Sequence, residues 1–214
     1  MSDTTNRIFI AVGLIIAVAV LWLVFGARGI YWVSIVVVAG MIIEFLRVMW
    51  RAPREVMFNG KNLGIFAGFL CLMGLDFASI LTIGRRPMLL LMILVIVAAA
   101  DVCAWLFGRI IGGDKMWEKI SEHKTWAGQI AGIIGGTVFG VLYGRVVMGG
   151  FVPQMIWIGI SIALLSQYGD LTASFVKRKI GIKDFSNILG KHGGIIDRFD
   201  GWIYVLPLIW MIVA

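Results

Sequence analysis

The sequence has little of what a water-soluble protein depends on. Charged residues make up 14% of the 214 positions, against about 25% in a typical soluble domain. Cysteine occurs twice, at Cys71 and Cys103, both inside apolar runs. That excludes a disulfide framework or a zinc-ligand spacing, and both cysteines read as small apolar packing residues. No Ser-His or Cys-His pairing suggests a nucleophile and its base. Ten-residue segments of alternating hydrophobicity, the mark of a membrane β-barrel, are also missing. The chain is instead 60% hydrophobic, with a mean hydropathy of +0.96. Its apolar residues gather in runs of about 18 or more, each long enough to cross a bilayer core of about 30 Å. The fold class is therefore all-α: a polytopic transmembrane helical bundle forming a single integral membrane domain over residues 1–214.

Seven spans are expected, at 8–25, 30–45, 63–83, 88–107, 126–148, 152–168 and 202–213. The first reads as a retained anchor, because it is long for a signal peptide and lacks a small-x-small cleavage site. Residues 26–29 read as a tight turn, and the sixth helix as continuing to about Lys177. The excess of 19 Lys and Arg over 12 Asp and Glu would suggest nucleic acid in a soluble protein. Here it reads as topology, with no nucleic-acid partner. Seven spans place 15 of the 19 basic residues with the N-terminus and the loops 46–62, 108–125 and 176–200. Positive loops stay cytosolic, so the N-terminus and the three polar loops face the cytosol.

Four acidic residues lie in or beside apolar runs, where an ionisable group is costly. Glu44 sits near a span end beside Arg47 and reads as a snorkelling or locally paired charge. Asp76 is more central, and the sequence names no partner for it. Asp101 opens the pattern Asp101-x-x-Ala104-Trp105-x-x-Gly108-Arg109. Asp170, Ser174 and Lys177 fall on one face of a helix, which brings a carboxylate, a hydroxyl and a cation to the cytosolic boundary. Beyond them lies the polar stretch 174–200, with six Lys or Arg residues, Asp184, Asp197 and Asp200, and the turn His192-Gly193-Gly194. Carboxylates suit Mg²⁺ and cations suit phosphate. Charge alone leaves two readings open: metal-assisted phosphoryl chemistry on a lipid, or a basic loop resting on anionic head groups.

Order and spacing separate these readings. Ser174-x-Val176-Lys177-Arg178-x4-Lys183-Asp184-x-Ser186-x2-Leu189-Gly190-x-His192-Gly193-Gly194-Ile195-x-Asp197-Arg198-Phe199-Asp200 resembles the signature of the phosphatidate cytidylyltransferases, also called CDP-diacylglycerol synthases. Gly169-Asp170-Leu171, the block from Asp101 to Gly112, and Ile120-Ser121-x-x-Lys124-Thr125-x-x-Gly128 resemble the family's other blocks. Glu122 and Ala127 stand where the family usually has Pro and Glu, and Gly113-Asp114-Lys115 departs from a commoner Gly-Lys. The likeness covers residues 98–201, the catalytic region. Residues 1–97 match only as generic spans.

The resemblance implies a membrane nucleotidyltransferase of phospholipid biosynthesis, converting CTP and phosphatidate to CDP-diacylglycerol and pyrophosphate. It implies Mg²⁺, with room for a second metal ion. Asp170 and Asp197 would be the metal carboxylates, with Asp200 beside them. Lys177, Arg178, Lys183 and Arg198 would hold phosphate oxygens, and His192 would bond a phosphate or position the loop. Asp101, Arg109, Ser121, Lys124 and Thr125 would wall the nucleotide, with Ser174, Gly193 and Gly194 near substrate. The lipid bilayer is a partner, and a homodimer is admitted by the family and by the glycine-rich run 128–144. The alternatives are cytidylyl transfer to another lipid phosphate, such as an isoprenoid glycerol-ether phosphate, and an ion-coupled transporter using Asp76, Asp101 and Asp170. The Asp-Gly-x2-Ala-Arg pattern of the CDP-alcohol phosphotransferases is missing.

Overall fold

The computed structural model describes residues 3–118, 120–150, 152–190 and 193–213. It is a helical membrane bundle with one small hairpin. Helix α1 runs Asp3–Arg51 and breaks only at Gly26, whose φ of 58° and ψ of −154° leave the helical region. The expected four-residue turn therefore contracts to one glycine, the residue that takes such a conformation without steric cost. The helix also continues past 45 to Arg51 and draws Arg47 and Arg51 out of the expected loop. A single turn, α2 (Arg54–Met57), leads to α3 (Gly60–Ile83), where Asn59 caps the start by accepting from the Lys61 N–H at 3.1 Å. α4 (Pro87–Ile111) begins with Pro at its first turn, a position whose N–H needs no helical partner.

Between α4 and α5 (Trp126–Met148) the expected polar loop forms a β-hairpin, β1 (Lys115–Trp117) with β2 (Ser121–Thr125), pairing Lys115 with Thr125 and Trp117 with Ser121. α6 (Gln154–Ile180) extends three residues beyond the expected end and stops at Gly181 (φ 85°), where the Gly181 and Ile182 N–H groups both donate to the Lys177 carbonyl at 3.0 Å. The short α7 (Ile196–Phe199) and α8 (Trp202–Val213) complete the chain.

Among the described residues, four segments are long and apolar enough to cross a membrane: Arg28–Arg51, Gly60–Ile83, Pro87–Ile111 and Trp126–Val147. α8 is apolar but 12 residues long, and α6 carries Ser166, Gln167 and Asp170 within its length. Exposed apolar side chains such as Trp32, Val36, Ile134 and Trp157 face outward, as suits helices solvated by lipid.

The glycines of α5 recur every fourth residue and set the packing of α4, α5 and α6. A Cβ at Gly136 would lie 2.7 Å from the Ala163 Cβ and 3.2 Å from the Ile96 carbonyl, and one at Gly132 would lie 2.9 Å from the Ala100 carbonyl. Small residues let helix backbones approach this closely in lipid. The face read as open to helix packing between copies is thus occupied within the bundle.

Candidate active site

The site is built at the end of α6. Its register puts Asp170, Ser174 and Lys177 on one face, as expected from their spacing. The Ser174 hydroxyl donates to Oδ1 of Asp170 at 3.4 Å, and Lys124, from β2, pairs with Oδ2 at 2.6 Å. Lys177 donates to Oδ1 of Asp197 at 2.7 Å. Oδ2 of Asp197 accepts the backbone N–H groups of Phe185 and Gly194, each at 2.9 Å. Asp197 thereby closes the loop between α6 and α7, and its side chain is only 5% exposed.

Close backbone packing brings in two further carboxylates. A Cβ on Gly169 would press on the Asp200 backbone and lie 3.2 Å from the Gly201 Cα, while one on Gly201 would meet Val97 at 3.2 Å and Ser166 at 3.3 Å. α6 and the 200–201 corner therefore meet backbone to backbone at Gly169, with Val97 of α4 packed on Gly201. Asp101, one helical turn beyond Val97, joins Asp170 and Asp200 there. The Asp200 carboxyl is held well above the usual carboxylate range, first by burial, then by the negative charges of Asp170 and Asp101; Lys177 and Lys124 oppose that rise. Three carboxylates and two ammonium groups thus share one field.

The loop is anchored from below as well. Phe185 is buried against Phe69, the rings stacked at 6.1 Å, and edge-on to Phe45 at 6.2 Å. Glu44 of α1, 1% exposed, lies beneath the same loop. Its carboxylate accepts the Ser186 hydroxyl, the Ile195 N–H at 3.2 Å and the Ile196 N–H at 2.7 Å. Sequence reasoning placed Glu44 beside Arg47 as a local charge. Its partners are more than 140 positions away, and no local pattern announces them.

Other expected site residues are distributed differently. Arg178 lies on another face of α6, lining a groove of about 740 Å³ with Phe175, Lys179, Lys115 and Trp117. Lys183 and Arg198 are exposed. Arg109 lies 6.0 Å from the Trp105 ring. Ser121 is within the hairpin, and the Thr125 hydroxyl caps α5 by accepting the Gly128 N–H at 3.1 Å. Gly193 takes φ 79°, a left-handed turn that favours glycine. His192 lies outside the described residues. Asp76 is fully buried in mid-α3, away from this cluster, and its carboxylate oxygens have no hydrogen-bond partner among the described residues.

No three His, Cys, Asp or Glu side chains among the described residues form a ready metal cage. The donor chemistry at the α6 end still fits a hard divalent cation. Asp170 is 38% exposed, and the negative charges of Asp170 and Asp101 act on Asp200, a crowding of carboxylates that a hard cation would relieve. Asp170 and Asp197 both have their oxygens engaged, but Asp197 is only 5% exposed and its Oδ2 is held by two backbone amides.

The cytidylyltransferase family model matches residues 1–214. The chain belongs to the cytidylyltransferase family. The match includes the N-terminal helices, which the signature does not reach. Relatives within the family include the phosphatidate cytidylyltransferase of Staphylococcus epidermidis, 32% identical over 205 residues, covering 92% of this chain and 77% of that protein. That of Rickettsia bellii is 29% identical over 212 residues, covering 91% and 83%. That of Aquifex aeolicus is 35% identical over 114 residues, covering 53% and 42%.

Proposed function

We propose that the chain transfers the cytidylyl group of CTP to phosphatidate, giving CDP-diacylglycerol and pyrophosphate in phospholipid biosynthesis. The observation that carries this reading is the meeting of Asp101, Asp170 and Asp200 with Lys124 and Lys177 at the end of α6. In the reaction a phosphate oxygen of phosphatidate attacks the α-phosphorus of CTP. The bond from that phosphorus to the α–β bridging oxygen breaks, and its electron pair leaves on pyrophosphate. The attacking phosphate is already anionic, so no strong base is needed. The difficulty is bringing two polyanions together, which positioned cations relieve.

Lys124 and Lys177 supply that positive charge from the chain itself. Asp170, with Asp200 and Asp101 beside it, is the group best placed to hold Mg²⁺, and a second metal ion is compatible with three carboxylates. Asp197, the other metal carboxylate implied by the signature, would join them only by giving up its Lys177 contact. Mg²⁺ would neutralise phosphate charge as pyrophosphate departs. The chain crosses the membrane several times with this site facing the cytosol, as the distribution of basic residues supports. A homodimer would use a surface other than the α5 glycine face.

The test is formation of CMP-bearing lipid from labelled CTP in detergent with Mg²⁺. Phosphatidate and an isoprenoid glycerol-ether phosphate are compared as acceptors, for the wild type and Asp170→Asn. Product with phosphatidate, lost in the variant and on chelation, supports the reading. Preference for the ether lipid changes the acceptor. No product with either acceptor from folded protein overturns the reaction.

A further inference from the structure

We infer that Glu44 is a positioning residue for this transfer, fixing from the α1 side where the loop presents Asp197 and Asp200. The inference rests on the proposed reaction. Glu44 reaches both limbs of the loop: Ser186 on the limb leaving α6, and Ile195 and Ile196 on the limb entering α7. Asp197 bridges the same two limbs, at Phe185 and Gly194. Two carboxylates thus close one loop. Asp197 is carried by the loop itself, whereas Glu44 is fixed in a long helix. Glu44 therefore registers both limbs of the loop against α1, while the Lys177–Asp197 pair ties one limb to α6.

Gly194 records the same relationship. Its φ is not in the left-handed region, unlike that of Gly193, so its backbone would accept a side chain. What forbids one is Glu44: the nearest atoms to an added Cβ all belong to the Glu44 carboxylate, with Cδ at 2.6 Å and Oε2 at 2.8 Å. The paired glycines of the His-Gly-Gly turn therefore have separate causes, one a backbone conformation and the other a carboxylate 150 positions away.

The test compares Glu44→Ala, Glu44→Gln, Gly194→Ala and the double variant Glu44→Ala/Gly194→Ala. It reads kcat and KM for CTP, thermal unfolding, and backbone amide exchange at 194–196. Glu44→Ala should lower kcat about 100-fold, the scale of a 1 Å misplacement, with KM changed by only a few fold and faster exchange at Ile195 and Ile196. Glu44→Gln keeps an acceptor oxygen for the Ile196 N–H and should restore most of kcat. Gly194→Ala should imitate Glu44→Ala, and the double variant should be no worse than either single, because the alanine methyl then meets no carboxylate. Wild-type kcat in Glu44→Ala, fully additive losses in the double variant, or unaltered exchange at 194–196 would each overturn the inference. Should Glu44→Ala not fold, Glu44→Gln and Gly194→Ala carry the comparison. A wild type that makes no CDP-lipid would sink the proposed reaction, leaving amide exchange to decide whether Glu44 holds the loop.

Discussion

Lys177 of α6 and Asp197 of α7 meet at 2.7 Å with side chains 13% and 5% exposed. The pair joins the last turn of the helix that carries Asp170 to the helix that precedes Asp200. Removing one partner leaves a desolvated charge behind, and breaking a buried pair in that way costs about 3–5 kcal/mol. Lys177→Met should therefore lower the unfolding free energy by about 3 kcal/mol at the low end of that range. Lys177→Met/Asp197→Asn, with neither charge left, should recover part of the loss in thermal unfolding but none of the activity. Equal stability in the single and double variants would remove the ion pair from this role.

Neighbouring cations in the signature should behave differently. Lys177 touches Asp197, whereas Arg178 lines the groove with Lys115, Trp117 and Phe175. Lys177→Met should reduce kcat by about 100-fold, the scale of losing one preorganised charge contact. Arg178→Ala should leave kcat within about threefold and act on KM, as loss of uniform binding does. Steady-state kinetics with CTP and lipid varied separately decide this. Equal kcat losses would place both cations at the reacting phosphates.

The parts of this site legible in the sequence are those carried by local periodicity. The 3.6-residue repeat places Asp170, Ser174 and Lys177 together, and the apolar runs mark most helices to within a few residues. The hairpin at 115–125 is not legible, because its strands are short and polar and its packed surface lies outside the local pattern. Glu44 is not legible either. An acidic residue three positions from an arginine on a helix has an adequate local explanation, and only the folded chain brings Ser186, Ile195 and Ile196 to it. Asp197 stands between these cases. Its place in the signature marks it as important, but that Oδ2 is engaged by two backbone amides is a property of loop closure alone.

Two glycines should respond oppositely to the same methyl group. Gly169 lies against the backbone of Asp200 and Gly201, whereas Gly68, on the exposed side of α3, has no atom within 4 Å of an added Cβ. Gly169→Ala should push the 200–201 corner from α6, costing about 1–3 kcal/mol, as overpacking does, and most of the activity. Gly68→Ala should be neutral or stabilising by up to about 1 kcal/mol, since alanine is the better helix former. Thermal unfolding and turnover of both variants check this. A tolerated Gly169→Ala would show that Asp200 need not approach α6 so closely.

The carboxylate cluster also makes a prediction that needs no turnover. If Asp170 with Asp101 and Asp200 holds Mg²⁺, the ion binds the folded protein and not the unfolded chain. It should then stabilise by mass action, about 2.7 kcal/mol at a free concentration 100 times the dissociation constant. The unfolding temperature of the wild type in detergent should therefore rise with Mg²⁺ and fall back on chelation. Asp170→Asn should lose the rise, because the carboxylate that acts on both Asp101 and Asp200 is gone, while its metal-free stability changes little: Asp170 is 38% exposed, and exposed pairs such as that with Lys124 contribute at most about 1 kcal/mol. Asp197→Asn separates the two assignments of that residue. A metal ligand would lower the Mg²⁺-dependent rise, whereas a loop clamp held by Lys177 would lower stability with and without Mg²⁺ and leave the rise in place. The burial of Asp197 and the two backbone amides on its Oδ2 favour the second outcome in the free protein, and a rise that vanishes in Asp197→Asn would show that Lys177 yields its place to the ion.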